Sequence, residues 1–296
     1  KRGIVGTNAT YHGNSELVGA LTRTGGHQPH DPDLRTFPFP QSYRPPTDVG
    51  FYLNALEAAI ADLEASGAGL AALIVCPIFA NEGLPDVPAG FMAAAAEKVR
   101  AAGGLVIADE VQAGYGRTGR WWGYEGASFT PDIVVTGKPM GAGLPLSAAA
   151  ASRALVEGFR AQTRYFNTFA SSPLQAAVGM AVLDVIETEG LVESAGAVGT
   201  ELKSALKARA DASPHIGDVR GTGLFLGLEM VIDKTGQAPD RARAVWLVNR
   251  LKDLGFLTSN AGAAGNVVKI RPPLVFSHAN AEAFLAAWDQ AVAEVR

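Results

Sequence analysis

The sequence predicts an α/β protein with a mostly parallel sheet, because short apolar runs alternate with amphipathic segments along most of its 296 residues. Each apolar run is apolar on both faces and is bounded by Gly, Pro or Asp, as expected for buried parallel strands. The predicted strands are Ile4–Thr7, Ala71–Cys76, Leu105–Ala108, Ile133–Thr136 and Ser147–Ala151. At roughly 150 residues per domain, a chain of this length is expected to form two domains.

Helices are predicted between and after these strands. Apolar residues at three- and four-residue spacing indicate helices at Phe51–Ala65 and Phe91–Ala102. Ser172-Pro173 is typical of a helix N-cap followed by proline at the first helical position, so we expect a helix from there through Ile186, and another over Leu191–Ala210. The segment His27–Thr47 contains six prolines and is predicted to be a long loop.

The pattern changes after about residue 188. Strand-like and helical segments then follow in a smaller unit, which predicts a C-terminal α+β domain. The strands are expected at Ile216–Arg220, Gly223–Val231, Phe256–Ser259 and Val267–Ile270, and the helices at Ala238–Leu254 and Ala279–Val295. We place the boundary near Thr188–Gly190, giving domains of residues 1–188 and 189–296.

Composition excludes several classes of protein. The net charge of −4 leaves no basic excess to bind a nucleic-acid backbone, and the apolar runs are too short for a transmembrane helix. Cys76, the single cysteine, cannot form an internal disulfide, and the five histidines show no paired metal-ligand spacing. We therefore expect a cytoplasmic protein with no metal site and no nucleic-acid or membrane partner.

The first candidate for chemistry is the segment IADEVQAGYGRTG, residues 107–119, in which a strand ends in two carboxylates. Ligand sites of open α/β sheets lie outside the carboxyl ends of the strands, where Asp109 falls. The structural alternative is that Asp109 caps a turn and that Glu110 pairs with Arg117.

The second candidate is VVTGKPMGAG, residues 134–143, in which Lys138 follows a buried strand. A lysine in a tight, poorly hydrated turn can have a lowered pKa and attack a carbonyl to form a Schiff base. The structural alternative is a solvated loop lysine. Lys138 and Asp109 follow neighbouring strands, and an amine and a carboxylate at one sheet edge are what pyridoxal phosphate requires.

These segments, together with others in the same order, resemble the class III aminotransferases of the fold-type I pyridoxal-phosphate superfamily. The other matching segments are Tyr11-His12-Gly13, YFNTF with SSPLQAA (165–177), VRGTGLFLGLE (219–229) and KIRPPLVF (269–276). The lysine loop, Tyr165–Phe169 and Asn266–Pro273 are most similar to the branch that contains phospholyases of ethanolamine phosphate and phosphohydroxylysine. The resemblance implies a three-layer sandwich with a mostly parallel sheet, followed by the small α+β domain.

The resemblance also implies roles for individual residues. Asp109 would pair with the pyridine nitrogen, Val111 and Tyr11 would pack on the two ring faces, and Gln112 would donate to the ring 3-oxygen. Lys138 would form the Schiff base and then act as the base that moves a proton. The implied cofactor-binding set is Tyr11, His12, Asp109, Val111, Gln112, Lys138 and Thr168.

Thr168 resembles a hydroxyl that reaches the cofactor phosphate of a neighbouring subunit, which implies a homodimer. Lys269 or Arg271 would face the substrate anion. The position relative to Pro272 favours Lys269, whereas the bidentate geometry of guanidinium favours Arg271. Either could instead be a cation at the end of a surface strand.

Three departures from the family pattern bear on function. The family's phosphate-binding loop should precede Tyr11-His12-Gly13, where only ten residues stand, so we expect the large domain to be incomplete at its N-terminal end. Cys76 stands where the family has glutamate and Phe79 where it has glutamine, and the stretch that follows contains Asn81-Glu82 instead of its glycine-rich pattern. Ala170-Ser171-Ser172 replaces Gly-Gly-Asn; both serines could donate to phosphate, or Ser172 could simply cap a helix.

The sequence therefore predicts an aminotransferase that moves an amino group between an amine or amino acid and a keto acid or aldehyde. One alternative is a phospholyase that acts on a phosphorylated amino alcohol or amino acid. Such an enzyme needs a second phosphate-binding cluster, for which Arg23, Arg35, Arg44 and Arg164 are candidates. The other alternative is a truncated homologue that folds without cofactor.

Overall fold

Six strands form the larger of two sheets in the computed structural model, which describes residues 1–23, 31–170 and 172–295. They lie in the order β2-β1-β3-β4-β5-β6. The strands are β1 Gly3–Thr7, β2 Leu34–Phe37, β3 Leu70–Val75, β4 Leu105–Asp109, β5 Ile133–Thr136 and β6 Ala148–Ala151. All neighbours pair in parallel except β5 and β6, which are antiparallel. The predicted mostly parallel sheet is thus confirmed.

Two helices, α2 (Val49–Ala65) and α3 (Phe91–Ala101), pack against this sheet. Their apolar faces form one core with the strands, and Leu56, Leu63 and Val99 are completely buried. Burial of such a side chain contributes roughly 1.5–3 kcal/mol. The shorter helices are α1 (Glu16–Gly19) and α4 (Gly123–Gly126).

The second sheet is antiparallel, in the order β7-β8-β10-β9. Its strands are β7 Ile216–Thr222, β8 Phe225–Met230, β9 Ser259–Ala261 and β10 Val267–Ile270. Two helices pack on it and a third packs against those two, and Trp288 and Phe284 of the third helix belong to the shared core. The helices are α7 Leu191–Ala212, α8 Arg241–Asp253 and α9 His278–Glu294. The predicted α+β unit is present, while the boundary at 188–190 stays a prediction.

The helix α6 (Pro173–Thr188) begins as predicted, with the Ser172 hydroxyl accepting from the backbone N–H of Gln175. It packs against the turn that follows β5 and against α7. Among the described residues, no helix has both the length and the apolar character needed to cross a membrane.

Three sequence predictions at the sheet edges were wrong. The predicted loop His27–Thr47 contains β2, a strand of four residues between Pro32 and Pro38. Residues 24–30 lie outside the described part of the chain. The segment 147–151 was expected to be a buried parallel strand, but β6 is an exposed antiparallel edge strand. Of the predicted strand Phe256–Ser259, only Ser259 is in β9. The Phe256 N–H donates instead to the Leu251 carbonyl at 2.8 Å, and its ring contacts Phe284.

The sequence analysis also missed α5 (Arg153–Gln162). The Ser152 hydroxyl accepts from the backbone N–H of Leu155, which fits an N-cap. Apolar residues of this amphipathic helix, such as Phe159, remain half exposed.

The two sheets meet at the carboxyl ends of β3 and β4. The Arg220 Nε on β7 donates to the Gly83 carbonyl at 3.0 Å, and the Gly262 N–H donates to the Asn81 carbonyl at 3.1 Å. Arg117, from the loop after β4, donates to the carbonyls of Leu224 and Pro272. These contacts place β10 beside the sheet edge at which the sequence predicts a functional site.

Candidate functional site

Asp109 and Lys138 line the same cavity, although 29 residues separate them in sequence. Asp109 is the last residue of β4 and pairs with Val135 of β5, and Lys138 follows three residues later. Parallel neighbouring strands therefore deliver both side chains to one edge. The cavity has a volume of about 180 Å³ and is lined by Tyr11, His12, Gly13, Cys76, Asn81, Asp109, Val111, Gln112 and Lys138.

Hydrogen bonds to both carboxylate oxygens fix Asp109. The Val111 N–H donates to Oδ1 at 3.0 Å, and His12 Nδ1 lies 2.7 Å from Oδ2. The other imidazole nitrogen, Nε2, lies 2.7 Å from the Thr10 hydroxyl. With Nδ1–H donating to Asp109 and the Thr10 hydroxyl donating to Nε2, a neutral His12 satisfies both contacts and leaves Asp109 as an acceptor.

The backbone at Lys138 is strained. Its φ of 30° lies in the left-handed region, at the start of a short 3₁₀ turn over Lys138–Gly141. Non-glycine residues in this region cost free energy and are concentrated at functional sites. Partial burial lowers the pKa of the Lys138 amine and nearby Arg271 lowers it further, while Asp109 opposes the change. The amine therefore carries a larger unprotonated, nucleophilic fraction than a surface lysine.

Lys269 and Arg271 approach this edge from the second sheet. Lys269, on β10, is only 9% exposed, and burial, followed by the charge on Arg271, lowers its pKa to about 8. Arg271 donates to Gln112 Oε1 at 2.5 Å and lies over the Phe225 ring, 5.8 Å from its centre.

Arg271 also lines a second, larger cavity of about 660 Å³ together with Val111, Gln112 and Lys138. Of the predicted cofactor-binding residues, the structure brings Tyr11, His12, Asp109, Val111, Gln112 and Lys138 to one cavity.

Thr168 is the exception, because it lies in an exposed turn and does not line that cavity. Its assignment to a second subunit stays a prediction. Ser171 lies outside the described residues, and Ser172 acts as the N-cap of α6.

Three of the four arginines considered for a second phosphate cluster have other partners. Arg23 donates to the carbonyls of Ala20 and Thr22. Arg35 pairs with Asp62, and Arg44 pairs with the buried Glu229 at 2.6 Å. Arg164 is exposed on the segment that follows α5.

The suggested Glu110–Arg117 pair is not formed. The fully buried Glu110 accepts from the backbone N–H groups of Gly123 and Tyr124, at 2.9 and 2.8 Å, and burial raises its pKa to about 7. Arg117 donates instead to carbonyl groups, and burial and nearby Arg271 lower its pKa to about 10. Both residues support the loop around the cavity.

Sequence reasoning assigned no role to two polar groups behind the cavity. The Glu82 carboxyl is buried and accepts from the Thr7 hydroxyl, and burial raises the pKa of Glu82. Thr10, which contacts His12, follows β1. The only available signal was that these residues follow the ends of neighbouring strands, as Asp109 does.

Comparisons with known proteins bear on the family and the fold of the chain. The family model described as aminotransferase class-III matches residues 1–292. An alanine–glyoxylate aminotransferase 2-like protein of Drosophila melanogaster is 35% identical over 311 aligned residues, covering all of this chain and 63% of the relative. Ethanolamine-phosphate phospho-lyase homolog 1 of Caenorhabditis elegans is 35% identical over 243 residues, covering 81% of this chain and 52% of the relative.

A solved structure shares the fold closely. A phospholyase from Arthrobacter, in complex with phosphoethanolamine, matches with a TM-score of 0.96 and 35% identity, covering 99% of this chain and 71% of that one. The chain spans between about half and two thirds of the length of the two curated relatives. The extent of the family match and the shared fold identify the chain as a member of the class III aminotransferase family.

Proposed function

We propose that this protein is a pyridoxal-phosphate-dependent aminotransferase that moves an amino group between an amine or amino acid and a keto acid or aldehyde. The observation that carries the proposal is that Asp109 and Lys138 share one cavity at the carboxyl ends of adjacent strands. This is the placement that binding sites of α/β sheets favour.

The residues present fit the aromatic ring and the aldehyde of the cofactor. The cavity of about 180 Å³ is on the scale of the roughly 150 Å³ cavity known to hold a benzene ring in another protein. Asp109 would hold the pyridine nitrogen, Val111 and Tyr11 would contact the ring faces, and Lys138 would hold the aldehyde carbon. When bound, the cofactor supplies an electron-withdrawing ring that acidifies the C–H bond next to the substrate nitrogen.

The chain's own groups then divide the remaining tasks. His12 and the Val111 N–H keep the Asp109 carboxylate in place, so that it favours a protonated ring nitrogen. Lys138 Nζ would act as the base at the substrate carbon and would hold the proton removed from it. Partial burial lowers the pKa of Lys138, which is the direction that favours a general base, because general bases act best when their pKa lies close to the working pH.

Lys269 supplies recognition of an anionic group on the substrate. Within residues 1–23, 31–170 and 172–295 its ammonium forms no ion pair, and charges on Arg271 and Lys138 act on it. A buried cation without a carboxylate partner favours a ligand that brings the negative charge. We therefore infer that the substrate is a primary amine with a carboxylate or phosphate group.

Phosphate elimination is a second candidate, favoured by the close match to the Arthrobacter phospholyase that binds phosphoethanolamine. Both reactions begin with removal of the same proton by Lys138, and they differ in what leaves afterwards. Elimination releases phosphate and needs no keto acid, whereas amino transfer requires an acceptor.

We also propose a homodimer that contributes Thr168 to the second subunit's site. Tyr165, Phe166 and Phe169 are 69–82% exposed, which is unusual for a cluster of aromatic side chains on a monomer surface. Sedimentation of the purified chain tests this association, and a monomer at micromolar concentration would contradict it.

The activity test uses the purified full chain with pyridoxal phosphate and two reactions measured in parallel. One is amino transfer from alanine to glyoxylate, and the other is release of inorganic phosphate from ethanolamine phosphate. Turnover that depends on the keto acid supports amino transfer. Phosphate release without keto acid would contradict amino transfer and support elimination. Absence of a visible cofactor band, even with excess cofactor, would instead support a cofactor-free homologue.

A further inference from the structure

Gln112 and Arg271 meet across the junction of the two sheets. Gln112 belongs to the loop after β4, and Arg271 directly follows β10. The Arg271 guanidinium donates to Gln112 Oε1 at 2.5 Å, a short and charge-assisted hydrogen bond. Phe225 supports the guanidinium from β8, with its ring centre 5.8 Å away.

The chemistry of the two groups fixes the direction of the amide. A glutamine amide has an oxygen that accepts and an NH₂ group that donates, and its two ends can exchange by rotation. A guanidinium only donates, so Arg271 can pair only with the oxygen. The NH₂ group is then directed away from Arg271, while Gln112 lines the cavity that holds Asp109 and Lys138.

We propose that Arg271 is a positioning residue that fixes the Gln112 amide, so that its NH₂ group is the end available to an acceptor oxygen on the cofactor ring. This inference rests on the proposed function, because it assumes a ring with such an oxygen in the cavity. It assigns substrate-anion recognition to Lys269 alone, and Arg271 acts through Gln112.

The proposal has a spectroscopic consequence. A donor to the ring oxygen stabilises negative charge there, so the oxygen holds the proton of the lysine–cofactor linkage less tightly. The visible absorption band of the bound cofactor changes with pH, and the midpoint of this change lies at lower pH when the Gln112 NH₂ group donates to the ring oxygen than when it does not. A hydrogen bond to a charged group corresponds to a shift of roughly one pH unit or more.

The experiment is a double-mutant cycle on the full chain with bound pyridoxal phosphate. The visible spectrum is titrated with pH for wild type, Arg271→Met, Gln112→Leu and the double variant. We expect both single variants to raise the midpoint by about one unit and the double variant to raise it little further. Arg271→Lys, which keeps a cationic donor, should stay closer to wild type than Arg271→Met.

The cycle separates positioning from a direct charge effect. Loss of the Arg271 charge would by itself raise the midpoint equally in the presence and absence of Gln112. Additive shifts would therefore overturn the proposal, as would a raised KM for the anionic substrate in Arg271→Met with an unchanged midpoint. These results leave cofactor binding intact, whereas a wild-type chain with no visible band would overturn the proposed function and this inference together.

Discussion

Lys269 brings an ammonium group into the interior between the two sheets, and this should lower the stability of the fold. Its pKa is about 8 in the folded chain, compared with 10.5 for an unperturbed lysine, and burial is the main cause. Because the folded-state pKa is the lower one, the unfolded state binds more protons between pH 8 and 10.5. The free energy of unfolding must therefore rise with pH across this window.

The size of the effect follows from the same difference. Each pKa unit corresponds to 1.36 kcal/mol, so protonated Lys269 costs about 3 kcal/mol of stability at pH 7. Lys269→Met removes the charge and keeps an unbranched apolar chain of similar length. We expect this variant to be more stable than wild type by about 3 kcal/mol at pH 7, with the charge-dependent part of this gain fading as the pH approaches 10.5.

Urea unfolding of the full chain, followed by circular dichroism at pH 7 to 10.5, measures this difference. Lys207→Met is the matched control, because Lys207 is exposed on α7 and its replacement should change stability by less than about 0.5 kcal/mol. The same Lys269→Met protein should bind anionic substrate more weakly. If its stability relative to wild type showed no pH dependence across the window, the argument that Lys269 is a buried cation would be refuted.

Four further predictions concern the cavity and its supports. Lys138→Ala should abolish turnover and the visible cofactor band while circular dichroism stays unchanged; retained turnover would contradict its role. Asp109→Asn should keep the cofactor bound but slow the reaction roughly 100- to 1,000-fold in single-turnover kinetics, because an amide cannot stabilise a protonated ring nitrogen. The pKa of Glu110 is about 7 in the folded chain and near 4.5 in the unfolded chain, so the free energy of unfolding falls as the pH rises from 4.5 to 7. In urea titrations, Glu110→Gln should make this decrease smaller. Gly199→Ala should lower the free energy of unfolding by about 3 kcal/mol or more in the same assay, because the new Cβ would lie 2.1 Å from a backbone carbonyl of the β7–β8 turn. The control is Gly196→Ala, whose Cβ would have its nearest neighbour at 3.6 Å and which should be tolerated.

The proximity of Asp109 and Lys138 could be predicted from the sequence because both lie on one sheet. Asp109 and Lys138 follow adjacent parallel strands, so knowledge of the strands alone was enough to expect them at one edge. The contact between Arg271 and Gln112 joins two sheets, and no local pattern encodes how one sheet docks on another.

The errors in the predicted fold have a similar cause. The strand β2 lies among prolines, and its four residues, LRTF, do not alternate between apolar and polar, so no local pattern predicted a strand there. The edge position and reversed direction of β6 depend on pairing with β5, which its run of alanines does not specify. In each case tertiary contacts decided what local propensity left open.

The charge of the groups around the cavity is compatible with the proposed anionic amine substrate, although several acids lie nearby. Cys76 lines the cavity, and burial raises the pKa of its thiol, which keeps this position neutral. Burial also raises the pKa of Glu82 and favours its protonated form beside Thr7, while Glu110 is directed to the backbone of α4. With Asp109 already held by His12, the ammonium of Lys269 keeps its charge available to the ligand. A glutamate at position 76 would compete for that ammonium, so the neutral thiol supports the proposal of a negatively charged substrate.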